Sequence, residues 1–354
     1  MKLSGYYKSQ NNNVKLITDY EELKNNNYDK IYMSKVFTDT KVPEWVLDLP
    51  NIKIGGTGFY YDKAEPLPDH IEHHKPDYHL YDDWVTDKLN NGGKKLDYKY
   101  YIDYSIGFST RGCFRKCEFC VNKKYDKVVL HSPIEELLDE DRKYICLLDD
   151  NILGYGKWKS IFDSLHNTSK RFEYKQGMDL RLMTDEKAKI LNESKYIGDY
   201  IFAFDNIDDK DEIEEKLKLW RKYCITKGQN TKLYILCAFD RNDKWDNEFW
   251  IKDIKDIFER VKILMKYNCL PYIMRYEKYK VSPYYGMYVN IASWGNQPHL
   301  YKKKSFREWC IADNERKGGN SATSKYINEF ENKYPEIAKK YFDLRFDDLN
   351  EYRK

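Results

Sequence analysis

A chain of 354 residues with 61 basic and 58 acidic side chains is close to charge balance and long enough for two domains or one large one. It has no apolar run of signal-peptide or membrane-spanning length, and its charge gives no global pull toward nucleic acid or membrane. These features exclude a helical membrane protein and a uniformly basic nucleic-acid binder. A soluble, cytoplasmic chain is expected, and its eight cysteines suit a reducing compartment.

Over residues 1–95, the runs Val14–Ile17, Lys30–Met33 and Asn51–Ile54 are short and apolar, separated by polar stretches. They predict a small α/β domain with a parallel sheet. Gly55, Gly56 and Gly58 follow the third run and permit a tight turn, but no G-x-G-x-x-G dinucleotide fingerprint is present. Between Pro66 and Leu89, His70, His73, His74 and His79 stand among prolines and acids. Metal binding is one reading of these histidines; a solvated connecting loop is the other, and the one preferred.

The run Ile102–Phe108 reads as a strand leading into Cys113, Cys117 and Cys120, a C-x3-C-x2-C spacing. Three thiolates in eight residues define one small metal site. A closed zinc site wants four ligands. A cubane cluster has four irons, so three thiolates leave one iron open to another molecule. Zinc with a distant fourth ligand, from another cysteine or one of seven histidines, is the alternative, although no second cysteine pair occurs. Cys146, Cys224, Cys237, Cys269 and Cys310 stand singly, mostly in apolar runs, and read as buried thiols.

With Phe119 directly before the last cysteine, this run resembles the signature of the radical S-adenosylmethionine (SAM) superfamily. The resemblance implies that Cys113, Cys117 and Cys120 ligate a [4Fe-4S] cluster whose open iron chelates SAM. It implies reductive cleavage of SAM to methionine and a 5′-deoxyadenosyl radical, fed by an electron donor such as flavodoxin or ferredoxin. Phe119 would lie against the adenine or pack the loop. Gly55 and Gly56 are similar to the glycine turn of the Rossmann-like cobalamin domain in some members. The D-x-H-x-x-G pattern is missing, so no cobalamin is expected.

Beyond the cysteines the pattern alternates. A helix from Pro133 precedes a strand at Tyr144–Leu148, then a helix at Lys157–His166 and a strand at Phe172–Lys175. A helix at Thr184–Ser194 and a strand at Tyr200–Phe204 follow, then a helix at Asp209–Lys227 and a strand at Lys232–Ala238. A helix at Asn247–Lys266 and a strand at Tyr272–Arg275 close the series. Six strands alternating with helices predict an α/β fold with a parallel sheet. The resemblance makes residues 96–300 a partial (β/α)6 barrel with its site at the C-terminal strand ends. Residues 301–354 read as a helical extension broken at Gly318 and Gly319.

Candidate binding residues fall at those strand ends. Asp149, Asp150 and Asn151 either cap the next turn or, by the resemblance, bind the SAM amino group. Gln176 and Arg181 flank the next strand end; Arg181 suits a carboxylate, with an Asp179–Arg181 ion pair as the competing view. Asp205 suits ribose hydroxyls. The segment Tyr272–Lys304 interleaves aromatics with cations, a composition that suits nucleic acid, while a tyrosine-rich connector is the plainer alternative. The expectation is a radical SAM enzyme acting on a nucleotide, nucleic acid or peptide. The alternatives are a zinc-dependent nucleic-acid-binding protein without catalysis, or a methylthiotransferase- or methyltransferase-like radical SAM enzyme. No cysteine precedes Cys113, which weighs against the second cluster that methylthiolation uses.

Overall fold

The computed structural model describes residues 1–25, 27–224 and 229–352. The protein is mixed α/β with small parallel sheets, and it divides into two compact units. The first comprises Met1–Asp149 with Asp163–Arg171; the second comprises Asp150–Phe162 with Phe172–Lys354. Among the described residues no helix is long and apolar enough to cross a membrane.

In the first unit, β1 (Ile31–Ser34) and β2 (Ile52–Gly55) form a two-stranded parallel ladder, with Ile31 opposite Ile52. The predicted run Val14–Ile17 forms no strand: it carries no regular structure. The glycines after β2 have a packing role. Gly56 sits at φ +92°, and a Cβ there would lie 2.5 Å from the Lys35 carbonyl oxygen. The predicted loop between Pro66 and Leu89 is largely helical, with helices at Asp69–Glu72 and Asp82–Asn90. Its four histidines are dispersed. His70 and His74 pack on Tyr6, His73 faces Glu136, and His79 hydrogen-bonds Asp82.

The parallel strands β3 (Tyr104–Gly107) and β6 (Tyr144–Leu147) pair in the same unit. Between them in sequence lie β4 (Thr110–Arg111) and β5 (Val129–Leu130), an antiparallel ribbon. Tyr78 anchors β3: its buried hydroxyl donates to the Leu137 carbonyl oxygen at 2.8 Å and accepts from the Ile106 amide at 2.7 Å.

The strand β7 (Arg171–Tyr174) spans the boundary between the units. In the second unit, β8 (Tyr200–Ala203), β9 (Thr231–Cys237) and β10 (Cys269–Arg275) form a parallel sheet in the order β10-β9-β8. Along β9, Thr231, Leu233, Ile235 and Cys237 are buried, while Lys232, Tyr234 and Leu236 are half-buried. That period of two fixes which face packs against the helices. The helix Asn247–Lys266 is capped by Asp246, whose carboxylate accepts from the Phe249 amide. The helix after β8 runs Lys210–Tyr223; the predicted end at Lys227 lies outside the described residues.

Candidate metal centre

The loop that carries the three cysteines is pinched at its base. The β4–β5 ribbon pairs Arg111 with Val129, and the His131 amide donates to the Ser109 carbonyl oxygen at 2.8 Å. Gly112 opens the loop at φ +94°, where a Cβ would lie 2.5 Å from Tyr125 Cβ and 2.6 Å from the Lys127 carbonyl oxygen. No side chain fits there, so the start of the loop packs directly against the Tyr125 side chain and the Lys127 backbone at its end. Within the loop, the Cys120 amide donates to the Cys117 carbonyl oxygen at 2.9 Å. Lys116 adopts φ +51° and ties across to the Lys123 carbonyl oxygen at 2.7 Å and to Asp126 at 2.8 Å.

This turn sorts the side chains. Cys113, Cys117, Phe119 and Cys120 are half-buried, while Phe114, Arg115, Lys116 and Glu118 are exposed. The Asn122 amide lies 3.4 Å from Cys120 Sγ, oriented to donate to it. From Arg111 to Lys127 the loop carries six basic residues (Arg111, Arg115, Lys116, Lys123, Lys124, Lys127) against Glu118 and Asp126. Three thiols within eight residues, an amide aimed at one of them and basic neighbours are, by their chemistry, donors that suit an anionic iron–sulfur cluster.

Asp149, at the end of β6, serves this loop. It is 3% exposed. Its carboxylate accepts from the amides of Ser109 and Thr110, at 2.8 and 2.9 Å, from the Thr110 hydroxyl at 2.7 Å, and from the Ser109 hydroxyl. Burial pushes this carboxyl above the ordinary range, and the four donors pull it back. Both oxygens are thereby committed to fixing the residues that enter the cysteine loop. The sequence reading missed Ser109, Thr110 and Gly112; the available signal was a hydroxyl pair and a glycine immediately before the first cysteine.

A second network braces the same region. His131 Nε2 lies 3.2 Å from Glu72, and Lys2 Nζ lies 3.1 Å from the same carboxylate. Burial alone would raise Glu72, but the hydrogen bonds from His131 and Lys2 hold it down at about 2. His79, Asp139 and Asp141 also bring ligand atoms within 4.8 Å of one another. The side chains of His79 and Asp141 are mostly exposed.

The remaining candidates lie in the second unit. Asp150 is half-buried and Asn151 is buried at the start of the turn Ile152–Gly154. Gln176 is exposed, and the neighbouring Gly177 gives way to the Tyr234 ring, which a Cβ would meet at 3.0 Å. Arg181 donates through Nε to Asp179 and through Nη1 to Asp209, both at 2.8 Å. The Asp179–Arg181 pair, the competing view from the sequence, forms at a 3₁₀ turn that Asp179 caps. Asp205 follows β8, accepts from the Leu236 amide at 3.2 Å, and is pushed up to about 6 by burial despite Arg260. Arg260 is 2% exposed and donates to the carbonyl oxygens of Phe204, Asp205 and Leu236, binding the ends of β8 and β9 together.

No protein-family model matches the chain. No solved structure matches it.

Proposed function

We propose that this chain is a radical SAM enzyme. The observation that carries the reading is the pinned loop in which Cys113, Cys117 and Cys120 are half-buried while Arg115, Lys116, Glu118, Lys123, Lys124, Asp126 and Lys127 are exposed. Those three thiolates would hold a [4Fe-4S] cluster. Such a cluster, once reduced, supplies the electron that splits SAM into methionine and a 5′-deoxyadenosyl radical able to abstract hydrogen from a substrate.

The chain's own residues prepare that chemistry. The Asn122 N–H directed at Cys120 Sγ and the cations of the loop offset thiolate charge. Asp149 holds Ser109 and Thr110 so that Cys113 leaves a fixed strand end. Phe119 supplies a half-buried ring beside the thiols in sequence. For the second unit, the resemblance extends the proposal to Asp150, Asn151, Gln176, Arg181 and Asp205 as contacts to SAM. We place Asp149 outside that set, because its oxygens already accept four donors. Six strands alternating with helices, paired in parallel where ladders form, support a partial (β/α)6 barrel as the underlying architecture.

The test is anaerobic reconstitution with iron and sulfide, then addition of SAM and a strong reductant. Wild-type protein is expected to turn brown and to release 5′-deoxyadenosine, and Cys117→Ala to do neither. A colourless protein holding one zinc per chain overturns the proposal.

A further inference from the structure

The aromatic and basic segment after β10 does not form one surface. Arg275 ends β10 beside Cys237, whereas Lys302 Nζ lies 3.4 Å from Asn230, which precedes β9. Seven residues of strand separate these two ends by about 20 Å. The helix Tyr285–Gly295 carries the chain back from one end toward the other, burying Tyr288 and Trp294 on the way. The lysine triplet Lys302, Lys303 and Lys304 is therefore parted from Arg275.

What remains near Arg275 is compact. Its guanidinium lies over the Tyr279 ring at 4.7 Å, and Tyr279 stacks on Tyr285 at 5.5 Å with 13° between planes. Lys278 covers the Trp245 ring at 4.7 Å. Tyr285 is 41% exposed, whereas Tyr272 contacts Tyr234 on the opposite face of the sheet and stands apart from this cluster. Arg275 and Lys280 are exposed, and among the described residues Arg275, Lys278 and Lys280 join no ion pair. Glu277 is the sole acid between Cys269 and Lys304. Of the three acids in the neighbouring loop, Asp240 accepts from the Lys244 amide and Asp246 caps a helix, while Asp243 is exposed.

We infer that Arg275, Tyr279, Lys280 and Tyr285 form a binding surface for single-stranded nucleic acid. Exposed rings offer stacking faces to unpaired bases, and cations without acidic partners neutralise the phosphates between them. Duplex hides its base faces and leaves the rings unused. As a binding surface this stands on its own; as the enzyme's substrate class it rests on the radical SAM reading.

The experiment titrates the full-length protein into fluorescein-labelled 12-mers of RNA and of DNA, the matching duplex, and heparin as competitor. Saturable single-strand binding is expected. It should weaken roughly 20-fold between 50 and 200 mM salt if three phosphates are neutralised. Tyr285→Ala should weaken it roughly 5- to 150-fold, the span expected for one stacked base, and Tyr279→Ala, which removes the ring that Tyr285 stacks on, should weaken it as well. Lys280→Glu should also weaken it, and thermal melts confirm that each variant folds. Replacing Lys302, Lys303 and Lys304 together by Ala should leave it unchanged. A preference between RNA and DNA names the sugar and supports the proposal either way. No binding, binding lost with the lysine triplet, or binding indifferent to the tyrosines and displaced by heparin overturns it. Cys117→Ala should bind as wild type does, because this titration needs neither iron nor SAM. A failure here therefore leaves the SAM-cleavage result standing, and the reverse also holds.

Discussion

Burial lifts the Asp205 carboxyl to about 6 from an ordinary 3.8, against the pull of Arg260 and the Leu236 amide. A carboxyl raised in the folded state binds its proton more tightly there than in the unfolded chain. Its contribution to stability is therefore full below pH 3.8 and is lost as pH rises through 6. The shift corresponds to about 3 kcal/mol at most. Asp205→Asn keeps an acceptor for Leu236 and removes the charge. It should raise the denaturant midpoint over wild type at pH 8, with the gain vanishing near pH 4. A loss of stability at pH 8 would show that the carboxylate is well paired. A stability cost retained at a strand end is what a binding carboxylate would carry, so the same variant should also raise the KM for SAM.

At the scale of the element, the cysteine loop depends on an acid that belongs to another strand. Asp149→Ala leaves two amides and two hydroxyls without their buried acceptor, a cost of about 3–5 kcal/mol. The expected phenotype is reduced iron per chain after reconstitution, with a lower melting temperature. Full iron loading combined with lost SAM affinity would return Asp149 to the role of a direct ligand. The six strands from β3 to β10 that alternate with helices were legible because each is a short apolar run between helical stretches. The start of β10 was not, because Pro271 reads as a breaker. β10 is an edge strand, where a missing N–H is tolerated. The helix Tyr285–Gly295 was also hidden. It is buried on nearly every side, so its sequence lacks the amphipathic period that marks a surface helix. The spacing of the three cysteines is read from the sequence, and their half-burial in one loop is what the structure adds. The clamp on that loop was not legible, since Asp149 meets Ser109 and Thr110 only through the pairing of β3 with β6.

On the scale of the whole molecule, the last fifty residues complete a core. Phe258, on the long helix of the second unit, packs against Phe306, Tyr341 and Phe342 at centroid distances of 5.3, 5.8 and 5.3 Å. The Tyr341 hydroxyl donates to Glu259, and Trp294 Nε1 donates to the Lys304 carbonyl oxygen. Arg307 ties Glu331 and Asp343 together across three C-terminal segments. Phe306 and Phe342 are fully buried, so removing them exposes Phe258 and Trp294 rather than trimming a tail. Deleting residues 305–354 should therefore abolish cooperative melting of the second unit and drive aggregation. Phe258→Ala, a milder probe of the same contact, should cost about 3–5 kcal/mol, the usual span for a buried aromatic truncated to Ala. A truncated protein that melts cooperatively at the wild-type temperature would mean that the sheet β8–β10 and its helices hold a sufficient core alone. The folding contribution of the C-terminal helices would then be nil, however closely they pack.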